Sequence, residues 1–535
     1  MKITNWRVIA FFSAYFVLGL TIYKDYGISF DEPINRANGI VSIQYVGEKL
    51  GFLAPSKEIP KLQEYYDRDY GVVFDVPLVI GEKALGYNSD DKSQQLYHYR
   101  HLMTFLVFFL STLFFYATAA SIFTNKWLPW LGTLFLILSP RIFAESFYNS
   151  KDIVCLSAFI ISTYFLLQFL KTYAWRHLLL FSICSAIAIN IRLTGVIIPA
   201  IALGWGVIDL LRLREKTGTI FFKLAAYAVL TAAFTVMFWP YLWEAPLANF
   251  QFAFANMSKF RANMDVLFLG QRIPATSLPW YYILQYVILT TPILYLLLWV
   301  AGALDVLKKT AKLLTERWQN FEPWRTQVTF FVISTAPFAL VILLKSTLYD
   351  GWRQLYFTYG ALLMICLYGL NWIFEYAKQH PLALKTTQAV VLAQLIVVCV
   401  WMGLNHPFQQ TYFNTLTPTP VAKNFEIDYW GLSYKQGLEW IVQHDKRPHI
   451  KVVTNLTPGV YNRMLLDKSE RERVKCTYLK PSVRDTLTRA ALECDYFITE
   501  FRYRSDASPY TKELYSIKVD GNTILAVYDG HQLAR

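Results

Sequence analysis

Ile153-Val-Cys-Leu-Ser-Ala-Phe-Ile-Ile-Ser-Thr-Tyr-Phe-Leu-Leu-Gln-Phe-Leu-Lys171 runs from Ile153 to Leu170 without a charged residue. Roughly 20 apolar residues cross a bilayer as a helix, fewer where the ends are buried in protein. Lys151 and Asp152 precede this stretch, and Lys171 and Arg176 follow it. Ten more stretches read the same way, near 6–24, 101–123, 127–143, 177–191, 194–211, 220–240, 281–304, 327–345, 355–373 and 385–404. The expectation is a polytopic α-helical membrane protein of about eleven spans, with Arg192 and its neighbours dividing two shortish ones at 177–191 and 194–211.

Bulk composition agrees. Of 535 residues, 55% are hydrophobic, 17% aromatic and only 17% charged, against roughly 25% charged in soluble proteins. Mean hydropathy is +0.30. The net charge of +13 is not gathered in a basic arm or an Arg/Lys-rich helix, which argues against nucleic acid as a partner. It sits in short loops, where basic residues set orientation.

Lys126, Lys171, Arg176, Arg212, Arg214, Lys216, Lys223, Lys308, Lys309, Lys312, Arg317, Arg325, Lys378 and Lys385 fall on one side, together with the N-terminus. That side is expected to be cytoplasmic, with the protein in a bacterial inner membrane. Lys2 and Arg7 precede an apolar run with no small-residue cleavage site, so the first helix reads as retained.

Residues 1–404 form the expected membrane domain, with a long first external loop at 25–100. Within that loop, Glu48–Leu53 and Lys61–Tyr70 read as short amphipathic helices on the membrane surface. Residues 405–535 turn charged and alternating, and predict a small α+β domain on the external side. Its expected strands are His449–Leu456, Asp495–Arg502 and a hairpin over Leu514–Tyr528 turning at Asp520-Gly521. Tyr434–His444 and Val483–Leu492 read as helices. Cys155, Cys184, Cys366 and Cys399 lie in apolar stretches as small core residues. Cys476 and Cys494 are candidates for a disulfide if the tail faces an oxidising compartment.

Every polar cluster suited to chemistry falls on the external side. Asp31 and Glu32 lie just past the first span, in Gly27-Ile-Ser-Phe-Asp-Glu-Pro-Ile-Asn-Arg36. A carboxylate there suits a general base; a solvated turn or a helix N-terminus explains the pair as well. Ser139-Pro-Arg-Ile-Phe-Ala-Glu-Ser-Phe-Tyr-Asn-Ser-Lys-Asp152 packs Arg141, Glu145, Asn149, Lys151 and Asp152 into a short connection. Helix capping accounts for Asp152 alone, not for the group. Leu348-Tyr-Asp-Gly-Trp-Arg-Gln-Leu-Tyr-Phe357 sets Asp350 and Arg353 among aromatics. A guanidinium there is either a phosphate clamp or an interface anchor. Arg100, His101 and Arg192 fall on the same face, and converging cations suit an anionic lipid headgroup. No Walker-type loop, G-x-S-x-G or H-E-x-x-H occurs, and no Cys/His spacing suggests zinc.

In these residues the chain resembles the GT-C glycosyltransferases, multi-span enzymes that use polyprenyl-phosphate sugars. It resembles most the protein O-mannosyltransferase group (glycosyltransferase family 39) and the bacterial lipid A aminoarabinose transferase group. Phe30-Asp-Glu-Pro33 is similar to the acidic pair of their first external loop, and Ser139–Asp152 to a form common in bacterial members. Asp350-Gly-Trp-Arg353 is similar to a later motif that often continues Arg-His, where this chain has Gln354. His406-Pro-Phe-Gln and Asp428-Tyr-Trp-Gly-Leu-Ser433 resemble the tail of a bacterial subgroup.

The resemblance implies sugar transfer from a polyprenyl phosphate to a lipid, glycan or protein acceptor, with inversion at the anomeric carbon. Asp31 would be the base and Glu32 its support, with Lys151 and Asp152 on the second side of the site. Arg353, with Arg100, Arg141 and Arg192, would hold the departing phosphate, and Glu145, Asn149, His101 and Asp350 would line the substrate. A divalent cation is a candidate cofactor; two carboxylates without a third ligand weigh against an obligatory one. A lipid or glycan transporter or flippase is the alternative, and a glycolipid-binding scaffold a third reading. Span interiors nearly free of Asp, Glu and Lys favour the enzyme over the transporter.

Overall fold

A computed structural model describes residues 6–258, 264–315, 318, 320–479, 493–502 and 510–532. Most of the first 404 residues are helical, and each of the eleven apolar stretches holds a helix. Seven helices among the described residues are long and apolar enough to cross a membrane, or up to eight if one bent pair counts as a span. Trp6–Ile22, Leu128–Ile137 and Trp175–Ile191 are apolar but shorter. The Arg353–Ala377 stretch is central, with 83% of its apolar window buried, whereas Pro381–Leu404 is peripheral at 17%.

Three departures from the sequence reading have local causes. The stretch at 281–304 is not one rod: Tyr282–Thr290 and Ile293–Thr315 meet at 118°. Pro292 stands at the break and can neither donate a helical hydrogen bond nor avoid the preceding carbonyl. Asn414 Nδ2 donates to the Ile288 and Thr291 carbonyls there, at 2.6 and 2.8 Å. The stretch at 127–143 likewise splits at Ser139-Pro140 into Leu128–Ile137 and Pro140–Tyr148, and every residue of the second helix is buried.

In the first loop, helices form at Glu32–Lys49 and Asp75–Ala84 rather than at Glu48–Leu53 and Lys61–Tyr70. Pro33 opens the first of these, and it stops at Leu50, before Gly51 in the left-handed region. Within 61–70 only Leu62–Glu64 makes a single 3₁₀ turn.

Two sheets complete the fold. Strands β1 (Asp265–Phe268) and β2 (Gln271–Pro274) form a hairpin that the alternation did not announce. Beyond the last apolar helix, β3 (Ile450–Thr454), β4 (Val474–Tyr478), β5 (Tyr496–Thr499), β6 (Glu513–Val519) and β7 (Asn522–Asp529) make a mixed sheet of order β4-β3-β5-β7-β6. The β6–β7 turn has Asp520 and Gly521 at φ +46° and +77°, the two positive φ values a two-residue hairpin turn requires.

Tyr434–His444 is the expected helix. Gly437 lets it approach the sheet, where an added Cβ would lie 2.8 Å from Leu525. The helix expected at Val483–Leu492 lies outside the described residues. Cys476 and Cys494 are both free and buried. Their sulfurs face the Gly459 carbonyl at 3.6 Å and the Tyr510 hydroxyl at 3.3 Å.

Candidate active site

The first loop leaves the membrane through an aromatic stack: Tyr26 on Phe147 at 4.7 Å, and Phe147 on Phe105 at 5.1 Å. Asn462 Oδ1 accepts a hydrogen bond from Ile28 N at 2.8 Å. Asp31 and Glu32 follow at the start of a helix, where successive side chains diverge by about 100°. Asp31 does not cap that helix. Its Oδ2 accepts from Arg353 Nη1 at 3.1 Å. Glu32 turns the other way: Oε2 accepts from Ser29 N at 2.7 Å, and Oε1 lies 3.0 Å from His101 Nε2.

The second cluster is folded by Asn149. Its Oδ1 accepts from Asp152 N at 2.8 Å, starting the Asp152–Thr172 helix. Its Nδ2 donates to Glu145 Oε2 at 2.6 Å and Asp152 Oδ2 at 3.1 Å. Glu145 Oε1 accepts from the Tyr356 and Tyr429 hydroxyls at 3.0 and 3.2 Å. Burial pushes the Glu145 carboxyl up to about 7, although these donors favour its anion. Arg141 is turned away, donating to the Tyr412 carbonyl at 3.0 Å with its guanidinium 4.6 Å from the Phe413 ring.

Arg353 joins the clusters. Nη1 reaches Asp152 as well as Asp31, at 3.1 Å each, and Nη2 reaches Asp350, also at 3.1 Å. The guanidinium packs on the Tyr349 and Trp430 rings, 4.9 and 4.6 Å from their centroids, within cation–π range of both. Asp152 also pairs with Arg192, and Asp350 with Arg502 from the C-terminal region. Asp350 sits at φ +55°, a backbone state that Asp tolerates better than most residues.

Exposure sorts these groups. Asp152, Asp350 and Arg353 are buried, while the side chains of Asp31 and Arg192 are 28% and 20% exposed. Half-buried Lys151 faces the Tyr70 ring, its Nζ 3.3 Å from the centroid. Burial and the neighbouring Arg192 pull its amine down to about 8. The Tyr70 loop is docked by a close approach at Gly71, where a Cβ would fall 1.8 Å from the Asn190 carbonyl oxygen. The open side of the cluster thus offers one carboxylate and two cations.

Glu32, His101 and Arg100 belong to a different group. Arg100 donates to Asp75 Oδ1 and Glu82 Oε1 at 2.7 Å each, and Arg36 to Glu82 Oε2 at 2.8 Å. Burial raises the Asp75 carboxyl to about 6, against the pull of Arg100. Asp75, Glu82, Tyr70, Trp430 and Arg502 were not singled out from the sequence. Trp430 lies in the Asp428–Ser433 motif, so a signal for it existed; Arg502 ends a predicted strand and carried none.

A divalent cation does not fit between Asp31 and Asp152, because one nitrogen of Arg353 already bridges them. Among the described residues no group of three His, Cys, Asp or Glu side chains is arranged for a metal.

No family model and no curated protein matches the sequence. In structure the chain is similar to ArnT from Cupriavidus metallidurans in the apo state, with TM-score 0.47 and 14% identity over 100% of each chain. Against the same protein bound to undecaprenyl phosphate the values are 0.45 and 13% over 98% of each chain. It is also similar to the archaeal oligosaccharyltransferase AglB from Archaeoglobus fulgidus in complex with an inhibitory peptide and a dolichol-phosphate, with TM-score 0.46 and 11% identity. That match covers 97% of this chain and 74% of the other.

Proposed function

We propose that the protein is an inverting membrane glycosyltransferase, moving a sugar from a polyprenyl-phosphate donor to a hydroxyl of a lipid, glycan or protein acceptor. One observation carries this reading: Asp31, Lys151 and Arg192 are partly exposed members of one charge cluster near helix ends, with Asp152, Asp350 and Arg353 buried beside them. The acceptor oxygen attacks the anomeric carbon as Asp31 takes its proton. The bond from that carbon to the phosphate oxygen breaks, and its electron pair leaves on the polyprenyl phosphate. Lys151 and Arg192 stabilise that charge, a contribution of several kcal/mol where water is excluded.

Arg353 is read as a positioning residue, since its two terminal nitrogens are committed to Asp31, Asp152 and Asp350. Asn149 and Glu145 hold Asp152. Glu32, His101 and Arg100 anchor the first loop. The Lys/Arg distribution supports a cytoplasmic N-terminus in a bacterial inner membrane, with the site and residues 405–535 extracytoplasmic. A transporter calls for ionisable groups at mid-depth; here Asp209 pairs with Arg325 near the ends of their helices, and Asp305 pairs with Lys309 just past the apolar stretch 281–304, beside Gln327 at the start of the stretch 327–345.

The test is transfer by purified protein offered a panel of polyprenyl-phosphate sugars, with membrane extract as acceptor. Asp31→Asn is expected to lower turnover about 10²–10⁴-fold with folding and polyprenyl-phosphate binding retained. A well-folded Asp31→Asn protein with wild-type turnover would overturn the mechanism.

A further inference from the structure

Three carboxylates, Asp31, Asp152 and Asp350, meet three guanidiniums, Arg192, Arg353 and Arg502. Four of these six side chains lie at helix ends or in the first loop, and Asp350 lies in the connection just before Arg353. Arg502 comes from the far end of the chain, just past β5. Arg353 alone cannot balance the three acids, and an uncompensated buried charge is costly. Asp350 is shared, one oxygen on Arg353 and the other on Arg502. Without Arg502, Asp350 would claim more of Arg353 and draw it off Asp31.

Arg502 is itself fixed. Its Nη1 donates to the Tyr429 carbonyl at 2.8 Å, and its own carbonyl accepts from Arg272 at 2.7 Å. The next residue, Trp430, is buried and covers one face of the Arg353 guanidinium at 4.6 Å. The turn carrying Tyr429 and Trp430 is held by Asp428, which accepts from Ser433 N at 3.0 Å and Gln410 Nε2 at 3.1 Å. Tyr429 reaches on to Glu145. The C-terminal region therefore touches the back of the site at Asp350, Arg353 and Glu145.

We propose that Arg502 and Trp430 are positioning residues that hold Arg353, and through it Asp31, so that the site is complete only with the C-terminal region docked on the helices. The claim about turnover rests on the reading of Asp31 as base; the claim about geometry does not.

Two readouts separate them. The first is labelling of Asp31 by a water-soluble carbodiimide and an amine, quantified by mass spectrometry, with Arg353→Met as the fully released reference. Arg502→Met and Trp430→Leu are expected to raise Asp31 labelling several-fold toward that reference. The second is kinetics: kcat falls on the order of tenfold to a hundredfold, as small misplacements of reacting groups do. Binding of undecaprenyl phosphate is unchanged, and Arg502→Lys recovers part of the loss.

Wild-type labelling in both folded variants overturns the proposal. Raised labelling with no sugar transfer by the wild type leaves the positioning intact and overturns the transferase reading instead. If Arg502→Met or Trp430→Leu does not fold, Arg502→Gln and Trp430→Met carry the same two measurements.

Discussion

Asp31 and Glu32 are neighbours of the same chemical kind, yet they found two different charge clusters. Asp31 joins Arg353, Asp152 and Arg192 in a group with an open side. Glu32 joins His101, beside the pairs of Arg100 with Asp75 and Glu82. The Arg100 side chain is only 1% exposed, and both its carboxylate partners accept at 2.7 Å. In that second cluster every charge is spent on another side chain, so it fixes loop geometry. In the first, the acid itself stays open: the Asp31 side chain is 28% exposed and that of Glu32 2%. Residue type does not tell the two clusters apart; the exposure of the carboxylate does.

The comparison breaks most easily at Arg100. Arg100→Met would leave Asp75 and Glu82 buried without their main counter-charge, at a cost of about 3–5 kcal/mol. The expected result is a large loss of thermal stability in detergent, with Arg100→Met, Asp75→Asn and Glu82→Gln combined recovering most of it. A stable Arg100→Met protein that bound polyprenyl phosphate poorly would instead place Arg100 with the substrate.

Glu32→Gln is milder. A glutamine oxygen can still accept from Ser29 N, but the carboxylate beside His101 is gone. A cost of about 1–3 kcal/mol in stability is expected, with kcat/KM near wild type for the folded fraction. Asp31→Asn should do the reverse, and opposite outcomes at adjacent positions would be the sharpest form of the comparison. A turnover loss in Glu32→Gln as large as that of Asp31→Asn would mean the two acids work as one unit.

Much of this was legible in the sequence, for definable reasons. Apolar length located the helices, since hydropathy is summed along the chain. It did not foresee the 118° break at Pro292, because a proline in an apolar run is tolerated or not according to what satisfies the freed carbonyls; here Asn414, over a hundred residues away, does so. Asp520-Gly521 announced its turn because the constraint is local. At the candidate site, the three quoted segments do meet at Arg353. The separation of Glu32, His101 and Arg100 from that meeting point was hidden, because it depends on Asp75 and Glu82, which sit in a helix the loop's mixed composition concealed. The contribution of Arg502 was hidden for a related reason: a charge at a strand end looks solvated until the fold buries it.

The finest test concerns the open side itself. The Lys151 amine is drawn down to about 8 by burial and by Arg192, so it loses its proton as pH rises through that value. The charged form is the one that attracts a phosphate, and the lysine therefore contributes below about pH 8 and fades above it. For the free enzyme, kcat/KM for the donor should fall about tenfold by pH 9 relative to its plateau, following the charged fraction of a group with pKa near 8. Lys151→Arg should remove that alkaline limb, because a guanidinium stays charged throughout the range. The plateau should drop somewhat in that variant, since the longer group cannot keep the same seat over Tyr70. An alkaline limb unchanged in Lys151→Arg would assign the titration to another group and reduce the open face to Asp31 and Arg192.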